Sequence, residues 1–143
     1  RSGFRETVRV EYDPEQVSLD ALLLAYFYVI DPTVQNRQGN DRGSQYQTGV
    51  YWMDPADEGI IRSIAALEAA AVPFFAVELK PLACFYPAEE FHQRYLEKHP
   101  RGYCHVAPWK LAALPDFPFS TKTYTRPAKE LLQTWKEAGE VSF

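Results

Sequence analysis

The stretch SLDALLLAYFYVI, residues 18–30, decides the fold because it is the most apolar segment of the chain. Ser18 is a preferred helix N-cap residue. The residues after it are apolar nearly all round, so they predict a helix over residues 19–30 that is buried on most sides. The uncharged run from residue 21 to residue 30 has ten residues, about half of the roughly 20 that cross a bilayer. The pattern therefore indicates a core helix and not a membrane span.

Shorter strand and helix patterns lie on both sides of this helix. Residues 7–12 (TVRVEY) alternate between apolar and polar side chains, which indicates a half-buried strand. Downstream, four further elements are predicted: strands over 48–53 and 74–80, and helices over 54–72 and 88–98. This alternation predicts an α/β domain of the two-layer α+β type, with a mixed sheet covered by helices.

The composition is that of one ordinary folded domain. The chain has 143 residues, of which 46% are hydrophobic and 24% are charged, and this length supports a single core. The net charge is -4 and Lys and Arg are not clustered, so we expect neither nucleic acid nor a membrane as partner. Two cysteines are too few for a disulfide-stapled scaffold. No signal peptide is visible, and we expect a cytoplasmic protein.

A polar stretch follows the apolar helix and has neither helical nor strand periodicity. Residues 36–46 (NRQGNDRGSQY) concentrate carboxylate, amide and phenol groups around Gly39 and Gly43. Loops of this length are often functional. From the residue types alone, a binding site and a solvated loop with Asx-turns remain equally open.

Two further clusters carry reactive groups. Residues 85–93 (FYPAEEFHQ) on their own indicate an aromatic core contact with a helix cap, and residues 102–105 (GYCH) place a thiol beside a glycine. That thiol is either an accessible reactive group or a buried small side chain. We expect no metal site, because the spacing of the candidate ligands does not match the paired ligand arms of zinc sites. These ligands are Cys84, His92, Cys104 and His105.

Taken together, these blocks resemble the A-type peptide methionine sulfoxide reductases. The resemblance covers about residues 3–106, and a shared run as long as residues 37–46, in register with three other blocks, is far more specific than a short motif. The matching blocks are residues 3–14 (GFRETVRVEYDP), 31–33 (DPT) leading into 36–46 (NRQGNDRGSQY), 85–96 (FYPAEEFHQRYL) and 102–104 (GYC).

The resemblance implies reduction of methionine S-sulfoxide in peptides and proteins by thiol chemistry. In that scheme Glu6 donates a proton to the sulfoxide oxygen, and Asp41 and Tyr46 orient the oxygen or a water. Cys104 is the resolving thiol, and thioredoxin is the reductant, with no bound cofactor. Glu6 must be protonated when substrate binds, so we expect aromatic side chains to shield it from water.

The chain departs from the family in one large respect. The family's nucleophile lies in a Gly-Cys-Phe-Trp segment, and no such segment occurs here. The only methionine is Met53 and the chain begins with Arg1. We therefore interpret residues 1–106 as an A-type domain that lacks its first strand, first helix and nucleophile, and expect this chain alone to be inactive. The alternative is an inactive homologue that acts as a binding or regulatory module.

Two smaller interpretations concern Cys84 and the end of the chain. The sequence Cys84-Phe85-Tyr86 imitates the missing motif, but we expect Cys84 to be a partly buried residue without a catalytic role. Residues 107–143 are interpreted as a C-terminal tail or linker and not as part of the core. Residues 124–127 (YTRP) resemble the connector that joins A-type to B-type reductase domains, so a fused B-type domain is a further expected partner.

Overall fold

The apolar stretch forms the central helix of the fold. Helix α1 spans Leu19–Val29, and the Ser18 side chain caps it by accepting a hydrogen bond from the Ala21 amide at 3.1 Å. The helix is buried on the face that includes Phe27, whose side chain is 1% exposed. The predicted core helix is therefore confirmed. No helix in the described part of the chain is long and apolar enough to cross a membrane.

The computed structural model describes residues 5–101, 112 and 114–141. The remaining helices and strands are β1 (Arg37–Gln38), β2 (Asp41–Arg42), β3 (Gly49–Trp52), α2 (Glu58–Ala69), β4 (Glu78–Pro81), α3 (Tyr95–Lys98) and α4 (Ala128–Val141). Short 3₁₀ turns lie at Ser44–Tyr46, Pro55–Asp57, Glu90–His92 and Thr121–Thr123.

The strands of the described residues form two small sheets. Strands β3 and β4 pair in parallel, from Gly49 opposite Glu78 to Trp52 opposite Pro81, and α2 provides the crossover between them. Strands β1 and β2 pair antiparallel in a separate hairpin. The predicted α+β class is confirmed, while the parallel and antiparallel pairs that we expected in one mixed sheet lie in two sheets.

The strand predicted over residues 7–12 is wrong. The chain there has no regular secondary structure and no ladder partner among the described residues. Val8 is 84% exposed and Val10 is 54% exposed, so the apolar face of the alternating pattern meets water. An alternating pattern indicates a strand only if a neighbouring strand supplies the hydrogen bonds, and that partner is not visible in local sequence.

The helix predicted over residues 88–98 is also largely wrong. The segment contains a 3₁₀ turn at Glu90–His92 and only a single helical turn at Tyr95–Lys98. Between them Arg94 has a left-handed φ of 50°, which interrupts an α-helix. His92, Gln93 and Glu97 are exposed, so little packing offsets the cost of forming so short a helix.

The core is formed between α1, α2 and α4, with α4 lying against α1. We expected the segment after residue 106 to lie outside the core, yet Ala128 and Leu132 of α4 have no exposed surface. The amphipathic pattern of the segment supplies the apolar face that packs against α1. The assignment of residues 107–143 to a C-terminal tail or linker and the domain boundary at residue 106 stay predictions.

One buried carboxylate joins α2 to α4. Glu68 is 5% exposed, and its Oε2 accepts hydrogen bonds from the Tyr124 hydroxyl and from the Ala128 amide, both at 2.8 Å. The second bond caps the N-terminus of α4 from another helix. Burial raises the pKa of Glu68, and the two hydrogen bonds counter only part of that effect.

Candidate functional site

The polar stretch that the sequence singled out is an ordered hairpin followed by a turn. Gln38 pairs with Asp41 across a two-residue turn in which Gly39 has a φ of 56°. Gly43 has a φ of 131° and its amide donates to the Asn36 carbonyl at 2.8 Å, which closes the base of the hairpin. The chain then enters the 3₁₀ turn at Ser44–Tyr46, with the Tyr46 amide donating to the Gly43 carbonyl. The hairpin thus holds Asp41 and Tyr46 in one compact unit.

Two buried glutamines fasten this unit to the rest of the fold. The Gln38 amide group donates to the Asp31 carbonyl and accepts from the Asp31 amide, both at 3.2 Å, just after α1. The Gln47 side chain accepts from the Asn36 amide at 2.8 Å and donates to the Ala76 carbonyl at 2.6 Å. Each glutamine therefore replaces backbone pairing that the loop itself lacks.

No pattern in the sequence distinguishes these glutamines from the exposed Gln45. Their partners lie up to 29 residues away, as for Gln47 and Ala76. Sequence reasoning therefore missed both residues, although they hold the candidate site in place.

Glu6 lies beside the hairpin unit. Its amide donates a hydrogen bond of 2.7 Å to the Gln45 carbonyl, one residue before Tyr46. The structure thus brings the backbone of Glu6 to the turn that carries Tyr46, with Asp41 in the adjoining β2. Cys104 lies outside the described residues. The chemical roles of Glu6, Asp41, Tyr46 and Cys104 stay predictions.

The expected shielding of Glu6 is not found among the described residues. Glu6 is exposed, while Tyr46 and Asp41 are partly buried. Cys84 was expected to be partly buried and is exposed instead. It follows β4 in a segment without helix or strand, and its neighbour Phe85 lies beneath the Arg9 guanidinium at 5.3 Å. Cys84 therefore lies in an exposed segment and does not pack into the core.

Arg5, the residue before Glu6, belongs to a network of charged and phenolic groups around Glu78. The Glu78 Oε1 atom accepts from Arg5 Nε at 2.9 Å and from the Tyr51 hydroxyl at 2.6 Å, and Oε2 lies 3.0 Å from Lys80 Nζ. Partial burial raises the pKa of Glu78, but the hydrogen bonds from Arg5, Tyr51 and Lys80 outweigh it and lower the pKa to about 2. The carboxylate is therefore ionised at any physiological pH.

One cleft of the described residues does not coincide with the candidate site. An open cleft of about 310 Å³ lies between the end of α1, the hairpin and α4. Arg37, Gln38 and Lys129 line it, whereas Glu6, Asp41 and Tyr46 do not. The Gln38 amide group in this cleft already donates to the Asp31 and Arg37 carbonyls.

Metal ligands are not clustered in the part of the chain that the structure describes. No group of three or more His, Cys, Asp or Glu side chains there could hold a metal ion. The chemistry available to the described candidate site is that of carboxylates, a phenol and backbone donors.

Comparisons with known proteins find related chains that cover much of this sequence. A family model described as peptide methionine sulfoxide reductase matches residues 1–114. A curated protein of Mycoplasma pneumoniae, peptide methionine sulfoxide reductase MsrA, is 51% identical over 102 residues, which are 71% of this chain and 65% of that protein. The crystal structure of Mxr1 from Saccharomyces cerevisiae in reduced form aligns with a TM-score of 0.64 and 34% identity. That alignment covers 67% of this chain and 55% of Mxr1, so the chain spans less than two thirds of both relatives.

Proposed function

The chain belongs to the A-type peptide methionine sulfoxide reductase family, and we propose on this basis that it takes part in reducing methionine S-sulfoxide in peptides and proteins. The observation that carries the proposal is the family match over residues 1–114, which includes Glu6, Asp41, Tyr46 and Cys104. The contact between the Glu6 amide and the Gln45 carbonyl supports it, because it brings the acid to the turn that carries the phenol.

In the proposed reaction a cysteine thiolate attacks the sulfoxide sulfur. Negative charge develops on the oxygen, Glu6 supplies a proton to it, and hydrogen bonds from Tyr46 and a water held by Asp41 stabilise it. The S–O bond of the sulfoxide then breaks, its oxygen passes with the proton to the cysteine sulfur, and the bond between the two sulfurs breaks. The methionine thioether leaves and the cysteine is a sulfenic acid. Cys104 then attacks that sulfenic acid, which releases water and forms a disulfide.

Thioredoxin is the proposed reductant of this disulfide. Its dithiol gives up two electrons and two protons through a mixed disulfide, so that both thiols of the reductase are restored. No metal or organic cofactor is needed for any step. A B-type reductase domain fused to the same polypeptide is a further proposed partner, suggested by residues 124–127.

The attacking thiol of the proposal is not among residues 1–143, because the chain contains only Cys84 and Cys104 and neither lies in a Gly-Cys-Phe-Trp segment. We propose that polypeptide outside these residues supplies it. The same observation favours a second candidate function, in which the chain binds sulfoxide without reducing it and serves as a binding or regulatory module.

The experiment compares binding and turnover of one defined substrate. N-acetyl-methionine S-sulfoxide methylamide is titrated into the purified chain and then incubated with it and dithiothreitol, with the R epimer as control. We expect selective binding of the S epimer and no turnover. Turnover that disappears in the Cys84→Ser variant would instead identify Cys84 as the nucleophile. Equal or undetectable binding of both epimers would contradict the proposal.

Intact mass and N-terminal sequencing of the protein from its natural source separate the two candidate functions. A polypeptide with an additional thiol-bearing segment should oxidise thioredoxin in the presence of methionine S-sulfoxide. A polypeptide with no such segment that binds the S epimer without oxidising thioredoxin would favour the binding module.

A further inference from the structure

Two anchors, one residue apart, hold the segment that carries Glu6. The Arg5 side chain is bound by Glu78 of β4 at 2.9 Å, and the Glu6 amide is bound by the Gln45 carbonyl at 2.7 Å. The side chain of Arg5 is therefore bound to the β3–β4 sheet, while the backbone of Glu6 is bound to the hairpin unit.

Residues 7–11, which follow these anchors, are exposed. Residues 7–12 form no ladder among the described residues, and Val8 and Val10 are exposed. The Thr7 hydroxyl donates to the nearby Arg5 carbonyl. The Arg5–Glu78 pair has a much less exposed carboxylate than the Arg9–Glu11 pair of the same segment.

The Glu78 carboxylate is itself held in place by β3. The Tyr51 hydroxyl donates to the same oxygen that binds Arg5, at 2.6 Å, so Tyr51 fixes the orientation of the carboxylate toward Arg5. Gly49 makes room for this arrangement, because a Cβ atom there would lie 2.6 Å from Tyr51 Cζ. The paired strands β3 and β4 therefore determine where Arg5 is bound, because they carry Tyr51 and Glu78.

We infer that Glu78 is a positioning residue for Glu6, acting through Arg5 and fixed by Tyr51. The inference rests on the proposed function, in which Glu6 protonates the sulfoxide oxygen. Loss of the Glu78 carboxylate removes the negative charge that binds Arg5 to β4, so the segment that carries Glu6 is held less firmly. Because catalytic groups must be placed within a fraction of an ångström, such loosening weakens the contact between Glu6 and the sulfoxide.

The alternative is that Glu78 contributes only to stability, and two readouts distinguish these roles. The first is local: solvent exchange of the Glu6 amide and detection of the Arg5 Nε–H signal by ¹⁵N NMR. The second is the dissociation constant for N-acetyl-methionine S-sulfoxide methylamide. Both are measured for the full chain as wild type, E78Q, R5A and the double variant R5A/E78Q.

The matched control is E130Q, which removes a carboxylate from the exposed Arg126–Glu130 pair at the start of α4. This variant should resemble wild type in both readouts. The R5A variant keeps the inference testable even if E78Q folds poorly, because it breaks the same pair from the side of the weakly held segment.

We expect E78Q and R5A each to weaken sulfoxide binding by about tenfold, and the double variant to weaken it no more than R5A alone, since both changes remove the Arg5–Glu78 pair. The Glu6 amide should exchange faster in all three variants. Unchanged exchange of the Glu6 amide in E78Q, or unchanged affinity in a folded E78Q, would overturn the inference. If the wild type binds neither epimer, the proposed function fails, and exchange of the Glu6 amide alone then decides whether Glu78 positions Glu6.

Discussion

Two sides of this molecule are held together by different forces. The helical side consists of α1, α2 and α4, and the hairpin side consists of the β1–β2 hairpin, the turn after it and the β3–β4 sheet. The helical side is apolar: Phe27 and Leu132 are nearly or fully removed from water between α1, α2 and α4. On the hairpin side, order comes from polar side chains such as Gln38, Gln47 and Glu78, each bound to named partners. Hydrophobic burial is nondirectional and shared among many residues, whereas each hydrogen bond depends on one partner.

This difference has a consequence for function. A surface that must meet a polar substrate cannot be covered by the apolar core that would otherwise stabilise it. The candidate site is therefore ordered by a few bonds that leave Glu6 exposed. We expect core substitutions to change global stability, and substitutions in the polar network to change local order.

The largest effect is expected for Phe27→Ala in the helical core. Removal of a phenyl ring that is 1% exposed should lower the free energy of unfolding by about 3–5 kcal/mol. Urea denaturation measures this change. The matched control is Phe74→Ala, at a ring that is 52% exposed, and it should change the free energy by less than about 0.5 kcal/mol. Similar losses for both variants would mean that burial does not distinguish the helical core from the surface.

A smaller but still large effect is expected for Glu68→Ala, which removes a carboxyl group buried within the helical core. The change leaves the Tyr124 hydroxyl and the Ala128 amide without their shared acceptor, which should cost about 2–3 kcal/mol. Thermal or urea unfolding gives the value. A loss below about 0.5 kcal/mol would show that water replaces the carboxylate and that α4 does not depend on it.

The pH profile of the same site gives a second measurement. Burial raises the pKa of Glu68 above the ordinary 4.5, so the folded protein takes up this proton at higher pH than the unfolded chain. The contribution of Glu68 to stability should therefore increase as pH falls toward 4.5 and decrease as pH rises through the folded-state pKa. The free energy of unfolding of wild type minus that of Glu68→Gln isolates this contribution, and we expect this value to fall as pH rises. A value that increases with rising pH would contradict it.

Gly49→Ala, at the start of β3 on the hairpin side, is expected to lower the free energy of unfolding moderately. The added methyl group meets the Tyr51 ring and should displace the hydroxyl from Glu78, at a cost of about 1–2 kcal/mol. The control is Gly59→Ala in α2, where a Cβ would have nothing within 4 Å, so stability should stay the same or rise by up to about 1 kcal/mol. Equal responses at the two glycines would mean that the Tyr51 ring does not need the space above Gly49.

Predictions from the sequence were most accurate where the structure depends on residues that are close together in the sequence. The cap at Ser18, the start of α1 and strand β3 follow from patterns within a few residues, and the structure confirms them. Predictions were least accurate at residues 7–12 and 88–98, where local patterns indicated regular elements. There the folded chain offers neither a strand partner nor a core surface.

Thus the sequence by itself determined the central helix, the α+β class and the family, because these depend on local periodicity and on a long ordered set of motifs. Only the tertiary structure decided that α4 enters the core through Glu68, and that Glu78 binds Arg5. The bond from Arg5 to Glu78 spans 73 residues and that from Ala128 to Glu68 spans 60. Such contacts form only when the whole chain brings distant polar groups to within about 3 Å, a distance that no local pattern specifies.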